Sequence, residues 1–490
     1  MTGGVCFCYN TRMSHRTFLT FLALSAALAG CETIRDAHIA QQTFAHKGDD
    51  GLAAQKGERV DFRGASLAQL VSFALTNRPS ISSKVLAVED ARLALRQLAA
   101  TAPVLSDSPL NALSVRASGG HSESTGELSP RYGGDWNTVG GASAIISFDL
   151  LLWDFGRYDA NAKAQVENVL AAECALATET DVVCREVAVA YFDFMEHRAL
   201  LEVALTNRQQ YAEHVVRAEE LLKAGEANRL DVLKARLDLA QARQTVVTAS
   251  NLVDTTGAAL MLALGIDASR GTSDEAFGTA PVGIDCVRRG FARSTDTVEE
   301  SFAFARTNAP AMRMARARLR SASHSIDYAI ANLMPTISAS TSFSWTDPFW
   351  YWSWAFSAAQ SFINGGRDLA AVDRAVVAYE GAAVDVDEAE QRLSVSLETA
   401  IANRDNSVQA VESAVASVRS AKENLDTVRE QYEVGSASRV DLSDAIAADS
   451  RARGDCISAF YDGQRAEAAL FAIMGCPPVF HEEVVRGEIK

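Results

Sequence analysis

The amino-acid sequence predicts a mainly α-helical chain with a membrane β-barrel contribution. It predicts two duplicated halves, each a helix, a β-hairpin and a long helical hairpin. Three observations carry this. Proline is scarce, with 10 in 490 residues, and none lies between Pro130 and Pro281 or between Pro348 and Pro477. Those windows of 150 and 128 residues without a helix breaker predict long helices. The chain also repeats itself along its length. Within each repeat, finally, the apolar period switches in the same order, from helical to two and back to helical.

The composition narrows the class further. With 46 basic and 62 acidic residues, a net charge of −16 and 48% hydrophobic residues, the chain is too apolar for a disordered one. It is also too acidic for a nucleic-acid binder, and no basic tract offsets this.

The first element is a bacterial export signal. Arg12, His15 and Arg16 precede the apolar run Phe18 to Ala27, which leads into Leu28-Ala29-Gly30-Cys31. The run is too short to span a membrane, and small residues precede the cleavage point. The tetrad resembles a lipobox, which implies cleavage before Cys31 and lipidation of that cysteine. An ordinary signal peptide with a chance cysteine is the alternative. Glu32 after the cysteine implies sorting to the outer membrane, and Met13 is an alternative start.

The duplication follows. Leu75-Thr76-Asn77-Arg78-Pro79 recurs as Arg306-Thr307-Asn308-Ala309-Pro310 at an offset of 231 residues. From Gly156-Arg157 onward the offset is 210, matching Gly366-Arg367, Gly435 with Gly225, Arg439 with Arg229, Asp441 with Asp231, and Gly475 with Gly265. A repeat of that length is a duplicated half-protein rather than a small solenoid unit.

Within the halves, residues 66–101 read as helix. Alternation then marks a hairpin. Ile337, Ala339, Phe343 and Trp345 oppose Ser338, Ser340, Ser342 and Ser344, and Trp350, Trp352, Trp354 and Phe356 oppose Tyr351, Ser353 and Ser357. The first half alternates similarly on either side of a Gly/Ser-rich loop that holds Trp136. Serine on one face and interfacial aromatics on the other is the pattern of an outer-membrane strand. A soluble sandwich face is the competing account. Four strands cannot close a barrel, since the smallest have about eight, and open edges are not viable in lipid. Copies must combine, and a trimer gives twelve strands. After each hairpin a seven-residue period sets in, with Val169, Leu176, Val183 and Ala190 in one half and Val411, Val418, Leu425 and Tyr432 in the other. That period predicts coiled-coil-like packing of helices of roughly 100 Å.

The expected organisation is a signal peptide at 1–30, a lipidated segment at 31–64 and a first repeat at 65–265. That repeat has its hairpin at about 110–150 and a helical tip near 225. A linker at 266–295 precedes a second repeat at 296–475, with its hairpin at about 336–362 and tip near 435. A tail occupies 476–490. After Cys31 come Cys174, Cys184, Cys286, Cys456 and Cys476, an odd number with no metal-ligand spacing, read as small buried side chains. The histidines are scattered and no catalytic motif is present. The reading is therefore not an enzyme, with no cofactor and no metal.

The chain resembles the TolC-like outer membrane factor family, in its lipoprotein branch, over nearly all of residues 60–476. The resemblance rests on Trp-Asp-Phe-Gly-Arg at 153–157 and Asn-Gly-Gly-Arg at 364–367. It rests equally on the tip sequences Lys-Ala-Gly-Glu-Ala-Asn-Arg-Leu-Asp at 223–231 and Tyr-Glu-Val-Gly-Ser-Ala-Ser-Arg-Val-Asp-Leu-Ser-Asp at 432–444. It implies a homotrimer with a 12-stranded barrel and a long α-helical periplasmic tunnel. It implies an outer-membrane location and partnership with a periplasmic adaptor and an inner-membrane pump, for which the chain is the passive exit duct. A lipid-anchored coiled-coil scaffold without a pore is the rival reading; it explains the heptads but not the hairpins.

Candidate functional residues fall at the tips and the membrane interface. Gly225 and Gly435 stand where a helix must reverse, which favours positive φ. Asn228 and Ser438 are N-caps, with Asp231 and Asp441 completing capping boxes. The resemblance implies that adaptors dock here, although turn chemistry accounts equally well for each glycine taken singly. Capping explains Asp231 and Asp441 alike but not Asp444, whose counterpart is Lys234. Asp441 and Asp444 share a helix face and match the family's cation-binding aspartate ring at the periplasmic gate. A solvated acidic first turn favoured by the helix dipole is the alternative. Tyr432 matches a latch residue of the family. Ala437 stands at the latch arginine, with Arg439 as a candidate substitute. Trp136, Trp345, Trp350, Trp352 and Trp354 are the expected membrane-interface aromatics.

Overall fold

The computed structural model describes residues 66–99, 101–102, 113–125, 138–225, 228–266, 298–346, 349–360, 364–434 and 436–475. Cys31, Cys286, Cys476, Trp136, Gly435, the signal peptide, the lipidated segment at 31–64, the tail at 476–490 and all of the linker at 266–295 except Ile266 lie outside the described residues, as does the side chain of Trp350.

Each half opens with a pair of helices: α1 (Leu67–Asn77) and α2 (Pro79–Ala99) in the first, α5 (Val298–Asn308) and α6 (Pro310–Ala331) in the second. The sequence reads residues 66–101 as one helix; the structure breaks it at Arg78. Proline at the first position of the following helix is compatible with starting a helix but not with continuing one. Pro310 divides the second half in the same way. Ser66 caps α1 with a capping box closed by Gln69.

Among the described residues four strands follow in two hairpins, β1 (Leu113–Thr125) with β2 (Thr138–Trp153), and β3 (Thr336–Thr346) with β4 (Phe349–Ala359). They form one antiparallel sheet in the order β1-β2-β3-β4. β2 pairs with β3 from Ser143 opposite Thr346 to Trp153 opposite Ile337, with a register shift between Leu151 and Trp153. That pairing joins the two halves across almost 200 residues of chain, something no local pattern can specify. On one face of the β3–β4 hairpin, Ser338 meets Ser357 and Ser342 meets Ser353, hydroxyl to hydroxyl at 2.8 Å. On the other, Phe343 stacks on Trp352, and Trp354 and Phe356 are at least 65% exposed. Trp352 donates its indole N–H to Thr341 Oγ1 at 2.8 Å, so no polar atom of that ring is left unmatched on the apolar face.

Sheet passes to helix through two tight turns. Gly365 and Gly366 both have positive φ, and at the corresponding place Phe155 (φ 56°) and Gly156 (φ 85°) do the same. A non-glycine residue there is strained. Asp154, nine-tenths buried, accepts from the N–H groups of Gly156 and Tyr158 at 3.2 and 2.6 Å and so caps the helix start. Arg157 donates to the carbonyls of Ala331 and Met334 at the end of α6, which binds the two halves at the sheet's base.

The long helices are α3 (Arg157–Ala224), α4 (Arg229–Ala263), α7 (Arg367–Glu433) and α8 (Arg439–Met474). At 68 residues α3 is about 100 Å long. The seven-residue seam is visible as packing: Val183, Val411 and Leu425 are buried, and Val169, Leu176, Ala190, Val418 and Tyr432 are half-buried. Alanine is the commonest buried apolar residue among those described, which lets the helices approach closely. Between α3 and α8 the seam carries a polar brace, in which Arg465 pairs with Asp193 at 2.6 Å and Glu196 at 2.7 Å, and Ser458 donates to Glu196. The end of α8 abuts the start of α6. Gly475 has φ +74°, and a Cβ there would lie 3.0 Å from Pro310 Cδ and 3.2 Å from Asn308 O, so only glycine fits.

Candidate functional site

The tips of the two helical hairpins converge on one cluster. Tyr211 of α3, Leu239 and Ala242 of α4, Leu425, Val428 and Tyr432 of α7, and Leu442, Ala445 and Ile446 of α8 pack together. One hydrophobic unit therefore joins all four long helices at the end remote from the sheet.

Each reversal has its own chemistry. Gly225 ends α3 at φ +80°, its N–H bonded to Leu222 O, and a Cβ there would meet nothing within 4 Å. The chain then restarts through a capping box in which Asn228 and Asp231 bond each other's backbone. On the other tip the N–H groups of Ser436 and Ala437 both donate to Gln431 O, closing the end of α7. Ser438 then starts α8: its N–H donates to Asp441 Oδ2 at 2.9 Å, and the Asp441 N–H donates to Ser438 Oγ at 3.2 Å. The Ser438 hydroxyl first, and then the Ser438 N–H, hold the Asp441 carboxyl below the usual carboxylate range. Asp441 and Asp444 are both exposed, one turn apart.

Between the tips stands an ion-pair cluster. Arg439, with its side chain only 12% exposed, donates through Nη1 to Asp238 Oδ2 at 3.2 Å, and its Nε lies 3.7 Å from Asp231 Oδ1. Ser443 Oγ donates to the same Asp238 oxygen at 3.2 Å. Arg439 and Ser443 belong to α8 and the two aspartates to α4, so these contacts tie one helical hairpin to the other. Ala437, at the position where the resemblance implies an arginine, carries no charge; Arg439 supplies one two residues on. Asp238 had no signal in the sequence beyond being an ordinary helix residue.

His214 is a second residue that sequence reasoning missed. It is 4% exposed, and neither ring nitrogen has a hydrogen-bond partner. Its ring sits edge-on to Tyr432 at 5.7 Å. Burial lowers its pKa, the Arg439 charge lowers it further, and Asp238 partly opposes both. The imidazole is therefore neutral at pH 7, wedged between α3 and α7. Burial also pushes the Tyr432 hydroxyl upward, as does Asp231.

Around this cluster the tips expose apolar side chains. Val434 is 79% exposed, and Val440, Leu230 and Leu233 are about half exposed. At the far end, Trp352 and Trp354 are exposed on the sheet's aromatic face, Trp345 is half-buried beside them, and Trp350 is placed by its register opposite Trp345.

Comparison with known proteins places this geometry. A profile of the outer membrane efflux protein family matches residues 70–266 and 304–476. Two curated relatives, from two strains of Pseudomonas putida, are each 25% identical over 283 residues, which cover 53% of this chain and 56% of the relative. They are the probable efflux pump outer membrane protein SepC and the toluene efflux pump outer membrane protein TtgF. The match thus spans about half the length of these relatives. Among solved structures, that of CusC superimposes with a TM-score of 0.72 at 21% identity, covering 84% of this chain and 92% of that one.

Proposed function

The chain belongs to the outer membrane efflux protein family, and from that premise we propose that it is the outer-membrane channel of a tripartite efflux or secretion system. It acts as a homotrimer and as a passive duct for substrates delivered by an inner-membrane pump through a periplasmic adaptor. Cys31, once lipidated, tethers its N-terminus to the outer membrane.

The observation that carries this reading is the four-stranded sheet with unpaired edges on β1 and β4 and opposed hydroxyl and aromatic faces. Among the described residues its backbone edge groups have no strand partner, a state that lipid does not tolerate. Joining β4 of one copy to β1 of the next satisfies them, and three copies give twelve strands. α4 supports the same assembly, since Leu230, Leu233, Leu237 and Val247 form an exposed apolar stripe that a second copy would bury.

The tips are the gate and the docking surface. The Arg439–Asp238 contact holds the two helical hairpins together in the closed state. Asp441 and Asp444, tripled around an axis, place six carboxylates at the periplasmic mouth and select for cations. The exposed Val434, Val440 and Leu230 beside the two reversals suit an adaptor's helical tips. Gly225→Trp should leave the trimer assembled but weaken adaptor capture in a pull-down, and undiminished capture removes that tip from the docking surface.

Gel migration tests the reading as a whole. Membrane-extracted protein should run as an SDS-resistant oligomer that shifts to monomer on boiling, with β-structure in its circular dichroism. A pore-less scaffold would run as monomer at every temperature and leave the membrane with a carbonate wash.

A further inference from the structure

Where α8 ends against the start of α6, helices α3, α6, α7 and α8 line a cavity of about 620 Å³ that is open to solvent on one side and far from the tip cluster. Its walls are mostly apolar, with Met312 and Ala315 from α6, Leu393 from α7, and Ala472 and Ile473 from α8. Asp181 of α3 also lines it. This carboxylate is 8% exposed and makes no hydrogen bond or ion pair among the described residues. Burial raises its pKa to about 6, so at neutral pH it is ionised and uncompensated.

The other charges facing the cavity do not meet that need. Arg185, Arg318, Asp385, Glu388 and Arg392 line it too, but all five are exposed and screened by solvent. Arg392 is also engaged by Glu388 one turn away. Arg185, although one turn from Asp181 on the same helix, forms no ion pair with it. The nearby Cys184 thiol is buried and pushed up to about 11, so it is neutral. An isolated charge in an apolar wall is costly unless a counter-charge comes to it.

We propose that this cavity is a binding site for a small organic ammonium, its charged nitrogen on Asp181 and its apolar body against Met312, Leu393 and Ile473. The volume lies within the range of ligand cavities, about 300–1,000 Å³. A bare metal ion does not suit the site. One carboxylate among alkyl and thioether groups is too few oxygen ligands, and no group of His, Cys, Asp and Glu among the described residues could hold a metal. The site lies in the helical wall, so its occupancy is independent of whether the assembly conducts.

Dansylcadaverine, a primary ammonium with an aromatic body and polarity-sensitive fluorescence, is a suitable probe for the full-length protein in detergent. The proposal expects a saturable fluorescence rise at pH 7.5. Affinity should fall at least about tenfold, about 1.4 kcal/mol, for the isosteric Asp181→Asn variant. It should fall by a similar factor for N-acetylated dansylcadaverine on the unaltered protein, an arm that needs no variant. Lowering the pH from 7.5 to 5 should weaken binding to the wild type but not to Asp181→Asn. Equal affinity for the Asn variant, equal affinity for the acetylated probe, or no saturable component above the detergent background each overturns the proposal.

Discussion

Replacing Arg439 with alanine should open the tips, and the geometry sets the size of the effect. The guanidinium is 12% exposed and lies 3.2 Å from Asp238 and 3.7 Å from Asp231, and Ser443 shares the Asp238 oxygen. An exposed pair would contribute less than about 1 kcal/mol, and breaking a fully buried one costs about 3–5 kcal/mol. Asp238, 23% exposed, lies between those limits, so the loss is about 2 kcal/mol per protomer. That corresponds to roughly a 30-fold shift from closed toward open for each copy. The assay is single-channel conductance in planar bilayers, where the Ala variant should show a larger mean conductance. A Cys pair at positions 238 and 439 should hold conductance low when oxidised and release it on reduction. If Arg439→Ala and Asp238→Ala both conduct like the parent, and the oxidised Cys pair has no effect, the contact does not latch anything.

Three further outcomes follow from the same structure. His214 has a pKa below its ordinary value; acid therefore charges a ring held in a site that favours the neutral form, and its contribution to the closed tip is lost as pH falls from about 6.5 downward. Conductance should rise on acidification from pH 7.5 to 5.5 in the parent and stay flat in His214→Phe; an identical rise in the variant excludes His214. Asp444→Ala should lower cation selectivity and weaken block by trivalent cations, with a larger loss in the Asp441/Asp444 double alanine, and unchanged selectivity in both leaves these aspartates as surface charges. Asp181 has the opposite sign of linkage, because its pKa is raised from 3.8 to about 6. Its neutral form favours the fold below about pH 4, and that advantage is gone above about pH 6. Asp181→Asn should therefore raise Tm at pH 7.5, by up to about 3 kcal/mol of stability, with no gain at pH 4.

Much of the architecture was legible because its signals are local or periodic. Proline-free windows, heptads and the paired tip sequences each report directly on long helices and their reversals, and alternating serine and aromatic residues report on strands. The breaks at Pro79 and Pro310 were also legible in principle, but the apolar period runs through them and masked the effect of the ring. What the sequence did not show depends on distant partners. The pairing of β2 with β3 is set by how the halves dock. Phe155 at positive φ becomes visible only through its alignment with Gly365. His214, Asp238 and Asp181 look like any polar residue on a helix. Their importance comes from burial and from neighbours on other helices, which a period of seven does not encode.

The most direct test of the channel reading is the electrical behaviour of the purified protein in a planar lipid bilayer. The account predicts discrete, long-lived, cation-selective steps that appear only with the SDS-resistant oligomer and vanish when the sample is boiled. A bilayer that stays silent with that oligomer present and inserted would contradict it.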